Sequence, residues 1–295
     1  MIYSVLPVVA PIFACVAIGY LWKVFQQPYD SQMVSRLVMT IGAPALIIST
    51  LVKAPISISL LHEMLWICSS LLLIFFLLGS LLLFIFRLDI RSYLGTLAFP
   101  NIGNMGLPVC LFAFGEKGLA LALALFMVFS LAHFSFGIVL LAGGSVFKVL
   151  FSNPIIYSVL AAVVMIYTNV TLPEWFARSL DLVGSFTIPM MLITLGVSLA
   201  GLSVTSFRDS FILALLRLLL GLLAGWGVVH WFGLTGTTRG VVMVQAAMPT
   251  AVFNYMFASQ YQRNPQQVAG VVVISTLLGF VTLPWLLLWA KGQLF

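Results

Sequence analysis

The chain is written as continuous apolar runs of about twenty residues, parted by short breaks of proline, glycine or charge. That pattern leaves few folds open. A run of this length without alternation crosses the hydrocarbon core of a bilayer as a helix. A membrane barrel needs shorter segments of alternating character, and a soluble fold needs a polar surface. Only 7% of the residues are charged and 62% are hydrophobic, against roughly 25% charged in an ordinary soluble domain. The expected fold is therefore all-α and integral to the membrane.

Ten spans fit the 295 residues, at about 3–22, 32–52, 62–86, 92–113, 118–142, 150–167, 175–200, 208–232, 238–259 and 266–290. The breaks between them carry turn chemistry, as in Gln26-Gln27-Pro28, Lys53-Ala54-Pro55, Gly115-Glu116-Lys117, Gly143-Gly144 and Arg263-Asn264-Pro265. The first run has no basic leader and no small-residue cleavage site, so it is expected to be a span and not a signal. Lys23, Arg87, Arg91, Lys148, Arg208 and Arg263 fall in loops after odd-numbered spans, with Arg36 just inside span 2. Lys53, Lys117, Arg178, Arg239 and Lys291 fall on the other side. The bias of basic residues toward the cytoplasm then places both termini outside.

Several function classes find no support. The net charge of +6 comes from singly scattered basic residues, with neither patch nor arm for nucleic acid. Cys15, Cys68 and Cys110 stand far apart in apolar runs, without metal-ligand spacing. His62-Glu63-Met64-Leu65-Trp66 begins like a zinc-protease helix but has no second histidine, and His62, His133 and His230 are scattered. No phosphate-binding loop is present, and the seven acids and three histidines form no catalytic cluster. No enzyme activity, cofactor or metal is expected.

Ten spans divide into two sets of five, and an odd number per set inserts the second upside down. Pro7 and Pro154 are expected to open spans 1 and 6. Pro44-Ala45-Leu46-Ile47-Ile48-Ser49 in span 2 resembles Pro189-Met190-Met191-Leu192-Ile193-Thr194 in span 7. Spans 4 and 9, in matching places, are the polar and interrupted ones. The chain is thus expected to form two inverted repeats, 1–142 and 150–295, joined by a short loop at 143–149. Paired interruptions of this kind point to a binding site near the bilayer midplane.

The densest polar segment is Pro100-Asn101-Ile102-Gly103-Asn104-Met105-Gly106-Leu107-Pro108 in span 4. Its prolines remove backbone donors and its glycines admit bends and close approach. Lipid cannot satisfy the backbone groups so freed; protein, water or ligand must. Span 9 repeats the device in Gln245-Ala246-Ala247-Met248-Pro249-Thr250-Ala251-Val252-Phe253-Asn254-Tyr255. The plain alternative is two kinked helices whose amides bind neighbouring helices. The stronger expectation is a substrate site formed by Asn101, Gly103, Asn104, Gly106, Pro108, Gln245, Pro249, Thr250 and Asn254.

These segments resemble the auxin efflux carrier family of secondary transporters, whose bacterial members include malate and malonate permeases. The resemblance rests on Pro100-Asn101 closing in Met105-Gly106-Leu107-Pro108, on Ala246-Ala247-Met248-Pro249, on Phe257-Ala258-Ser259-Gln260-Tyr261, and on the Pro284 region of span 10. It implies ten transmembrane helices in two inverted repeats of five, with spans 4 and 9 crossing at their prolines and a small organic anion bound there. It further implies a homodimer through spans 1, 2, 6 and 7. The short 143–149 segment departs from the long hydrophilic loop of the plant carriers, which favours a prokaryotic inner-membrane carrier. A sodium-coupled carrier of the bile-acid type shares the crossed-helix plan and is the nearer rival; an intramembrane enzyme or structural subunit is the remote one. A proton or sodium ion is the expected coupling partner.

Two charges complete the set. Arg217 lies about ten residues into span 8, in line with Gly221 and Gly225 at helical spacing. It reads either as a charge buried in a close helix contact or as a group that attracts or gates the anion. Asp181, near the start of span 7, reads as a surface carboxylate, with pairing to Arg217 or proton coupling as the alternative.

Overall fold

The computed structural model describes residues 2–53, 57–142, 154–168, 172–204 and 206–292. The expected inter-repeat loop at 143–149, with Lys148, lies outside them. Every described span is helical: α1 Ile2–Val24, α2 31–53, α3 Ile58–Ile85, α4 Ile90–Ala98, α5 102–114, α6 116–142, α7 Pro154–Thr168, α8 Glu174–Ser185, α9 Thr187–Gly201, α10 Phe207–Trp231, α11 Gly236–Ala246, α12 Val252–Gln260 and α13 Pro265–Ala290.

Among the described residues, seven helices are each long and apolar enough to cross a bilayer. The ten expected spans differ from these seven at spans 4, 5, 6 and 9. Span 4 is cut at Phe99–Asn101, leaving α4 too short to cross alone. Its second half, α5, continues into α6 through Gly115, whose φ of 67° and ψ of −161° turn the chain, so that 102–141 reads as one long bent helix. Span 9 is cut into α11 and α12. Span 6 shows the fifteen residues Pro154–Thr168. Pro7 does not open span 1: α1 starts at Ile2 and carries Pro7 and Pro11 inside it.

Small residues bring the helices together, as expected where lipid supplies no hydrophobic drive between them. A Cβ on Gly19 would fall on the Ile193 carbonyl, and one on Gly196 on the Val16 carbonyl, so α1 and α9 pack backbone to backbone. The expected likeness of Pro44 and Pro189 has a structural counterpart. Pro44 follows a π-helical turn at Val38–Gly42, and Pro189 follows a break at Phe186. The two irregularities touch, since a Cβ on Gly42 would meet Thr187 Oγ1 at 2.5 Å.

The outer faces are apolar. Trp66, Phe84, Leu182 and Trp231 are each at least 70% exposed, a surface that suits lipid and not water. The loops before α4, α10 and α13 gather at one end of the molecule. Asn264 Nδ2 donates to Ser92 Oγ at 3.1 Å, Ser210 Oγ to the Gln267 carbonyl at 3.3 Å, and the Tyr93 hydroxyl to Gln267 Oε1. Arg87, Arg91, Arg208 and Arg263 therefore share that end. Asp89 caps α4 there, accepting from Ser92 N at 3.0 Å and Ser92 Oγ at 2.5 Å. The Ser92 side chain holds the Asp89 carboxyl below its ordinary pKa, helped by backbone amides and by Arg263.

Candidate functional site

The two interrupted spans meet at their breaks. Pro100 and Thr250 form an isolated antiparallel bridge. Asn101 N–H donates to the Pro249 carbonyl at 2.6 Å, and Ala251 N–H to the Phe99 carbonyl at 3.1 Å. The physical cause is in the sequence. Phe99 and Ala251 are extended because each break leaves the helical ladder, and Pro100 and Pro249 cannot donate. Lipid cannot satisfy the freed backbone groups, so they pair with each other and with nearby side chains.

Arg217 locks this crossing. It is fully buried. Its Nη1 donates to the Leu97 carbonyl at 2.6 Å, Nη2 to the Ala246 carbonyl at 2.5 Å and Nε to the Met248 carbonyl at 3.2 Å. Its guanidinium also sits 4.6 Å from the centre of the Phe75 ring. Leu97 ends α4 and Ala246 ends α11, so one cation serves the negative C-terminal ends of two half-helices at once. The stripe with Gly221 and Gly225 has the meaning its spacing predicts. A Cβ on Gly221 would strike the Ala246 carbonyl, and one on Gly225 would come within 2.9 Å of Ala246 Cβ. Of the two readings of Arg217, these contacts fit the buried helix contact. Asp181 lies elsewhere, on α8, which packs against α2.

A small cavity of about 30 Å³, enough for water, lies beside the crossing. Asn101, Gly103 and Asn104 line it from the first break, with Ala251 and Phe253 from the second. α6 adds Phe126, Phe129, Ser130, His133 and Phe134. Asn101 is only 4% exposed, and its Nδ2 has no hydrogen-bond partner. An unmet buried donor costs about 1–3 kcal/mol, and Asn101 Nδ2 shares this state with Thr187 Oγ1 and both polar side-chain atoms of Gln245.

The remaining expected site residues divide differently. Thr250 Oγ1 donates to the Thr96 carbonyl at 2.8 Å, and Thr250 N–H to Ser275 Oγ at 3.2 Å. Asn254 Nδ2 donates to the Phe99 carbonyl at 3.2 Å. Pro249 gives its carbonyl to Asn101 and packs under Gly279. Gln245 is buried against Gly106, where a Cβ would collide with its Oε1, and neither of its side-chain polar atoms has a partner. Pro108 is buried in the first turn after the π-helical start of α5. Thr250, Asn254 and Pro249 hold the crossing together, Gln245 and Pro108 are buried beside it, and the wall of the cavity is made by other residues.

Sequence reasoning passed over the α6 wall. His133 Nε2 lies 2.9 Å from Asn254 Oδ1, and its ring stacks on Phe99 at 4.1 Å between centroids. A second, smaller cavity of about 10 Å³ also has His133 in its wall. Arg91, Ser92, Gly95, Thr96, Gly137, Asn254 and Phe257 are among its lining residues.

The sequence model of a family described as membrane transport protein matches residues 4–146 and 138–287. An uncharacterized transporter of Methanocaldococcus jannaschii is 23% identical over 95% of this chain and 98% of its own length. One of Methanothermobacter thermautotrophicus is 27% identical over 94% of this chain and 95% of its own.

Proposed function

The chain belongs to the membrane transport protein family, that of the auxin efflux carriers, and from that premise we propose that it is a secondary carrier of a small organic anion, a mono- or dicarboxylate, working by alternating access. The observation that carries the substrate class is the unpartnered Asn101 amide in the cavity wall beside the crossing. Asn104 lies next to it, and the N-terminus of α5 starts there, so neutral donors and a helix dipole both favour a carboxylate. Neutral donors suit a carrier, which must release what it binds.

In this reading α4 with α5 and α11 with α12 are the broken spans 4 and 9 of two inverted five-helix repeats, 1–142 and 150–295, crossing near the midplane. The paired breaks and the touching irregularities before Pro44 and Pro189 support it. The end that gathers Arg87, Arg91, Arg208 and Arg263 is cytoplasmic, and both termini are outside. Apolar faces on α1, α2 and α7, such as Phe13, Ile41 and Leu160, are exposed and suit a homodimer scaffold. The bundle carrying the crossing rocks against it.

The test is counterflow of labelled malate, malonate and phenylacetate in proteoliposomes, with and without sodium. Exchange of at least one of them, independent of sodium, is expected. Exchange only with sodium would move the chain to the sodium-coupled reading, and no exchange of any carboxylate would overturn the anion assignment.

A further inference from the structure

His133 is in the wall of both cavities, and its surroundings fix its chemistry. Asn254 Nδ2 donates to the Phe99 carbonyl, so the Asn254 side chain presents its oxygen to His133. Nε2 of the imidazole must then carry the hydrogen and donate at 2.9 Å. That leaves Nδ1 as the nitrogen able to take a proton. Phe99 is stacked on the ring, and Phe257 stands edge-on at 5.3 Å between centroids. The π face of Phe99 suits an imidazolium.

The charge balance around the ring is one-sided. Among the described residues lining the central cavity, His133 has the one ionisable side chain. α4 presents Arg91 in the second cavity, and Asp89, at the start of α4, is bonded to Ser92. Arg217 approaches α4 through the Leu97 carbonyl. α12 carries Tyr255 and no acid, and α3 contributes the aromatic rings Phe75 and Phe76 nearby. Neither cavity is lined by an Asp or Glu among the described residues. A proton on His133 therefore lacks a protein counter-charge, and a carboxylate bound at Asn101 and Asn104 supplies it.

We propose that His133 is the proton-binding site of the carrier, loaded together with the substrate anion and reached through the second cavity. The proton adds to Nδ1 from water and returns to water when the anion leaves; no covalent bond changes. This rests on the anion reading above and adds its coupling ion. A carboxylate beside the ring favours the imidazolium, so anion affinity is high at low pH and falls as pH rises through the imidazole range.

The experiment is thermal stabilisation of the purified full chain by malate, malonate and phenylacetate, at about pH 6 and about pH 8, where these carboxylates stay largely ionised. For wild type, affinity for the bound carboxylate is expected to fall on the order of tenfold between the two. His133→Gln keeps an N–H donor for Asn254 but cannot titrate, so it is expected to bind with little pH dependence. As a readout free of any folding defect, calorimetry on wild type in two buffers of different ionisation heat is expected to show proton uptake with anion binding. An unchanged pH dependence in His133→Gln, or binding without proton uptake in wild type, overturns the proton site and leaves the anion reading standing. No stabilisation by any of the three at either pH overturns the anion reading and the proton site together.

Discussion

The break in span 4 and the break in span 9 have the same sequence device and different duties. The first exposes an unpartnered amide, Asn101 Nδ2, in a cavity wall. The second turns Thr250 and Asn254 inward, onto the Thr96 and Phe99 carbonyls. Each break frees backbone groups, and the crossing must satisfy both sets. Thr250 and Asn254 of the second break serve those groups, while Asn101 Nδ2 of the first, and Gln245 ahead of the second, keep no partner. Matched interruptions thus indicate where the two spans meet, while the partition of hydrogen bonds decides which polar atoms are left open there.

The sharpest way to break this comparison is to remove what joins the two breaks. Arg217→Leu leaves the Leu97, Ala246 and Met248 carbonyls without their shared donor. Each buried carbonyl left without a donor costs about 1–3 kcal/mol, so a large fall in thermal stability in detergent is expected, with loss of folded protein on expression. A folded variant of wild-type stability would mean that the crossing holds without its cation.

A paired substitution separates the two duties. Asn101→Ala is expected to leave stability unchanged or slightly raised, because it removes a buried donor with no partner. Its carboxylate affinity should fall ten- to a hundredfold, from the loss of about 1.5–3 kcal/mol. Thr250→Val is expected to do the reverse, costing about 1–3 kcal/mol of stability with affinity little changed. Thermal unfolding and ligand binding on both variants give the answer; matching losses in both variants would erase the distinction between the breaks.

The smallest effect lies outside the crossing. Asp89→Ala removes the N-cap of α4, worth about 0.5–2 kcal/mol. The folded carboxyl is held below its ordinary pKa, so its contribution is present above the ordinary carboxylate range and is lost as pH falls through the lowered value. The gap in melting temperature between wild type and variant should therefore close in acid, and a gap that stays constant would show that the charge plays no part.

How much the sequence discloses follows from which signals are local. The membrane spans and the burial of Arg217 are legible because a charge inside an apolar run has few places to go, and glycines at i+4 and i+8 point to one. The breaks are legible because proline acts on its own backbone. The duties of Thr250 and Asn254 are not, because their acceptors, Thr96 and Phe99, lie some 155 residues away, and composition gives donors without naming acceptors. His133 is invisible for the same reason: its partner stands 121 residues further on, and a lone histidine in an apolar run has no spacing to read. The merging of α5 with α6 turns on the single residue Gly115, which read as an ordinary loop signal.

The Pro100–Thr250 bridge has a consequence for how the chain is made. Its two strands of backbone are about 150 residues apart, which at roughly 5–20 residues per second separates their synthesis by roughly 8 to 30 seconds. For most of that interval the first break has Phe99 and Leu97 carbonyls that have not yet met Ala251 or Arg217. Arg217 is translated before Pro249, so the cation reaches α4 first and can hold its carbonyl end until the second break arrives. The order of residues along the chain thus doubles as an assembly schedule, with the clamp delivered ahead of the part it must finally clamp.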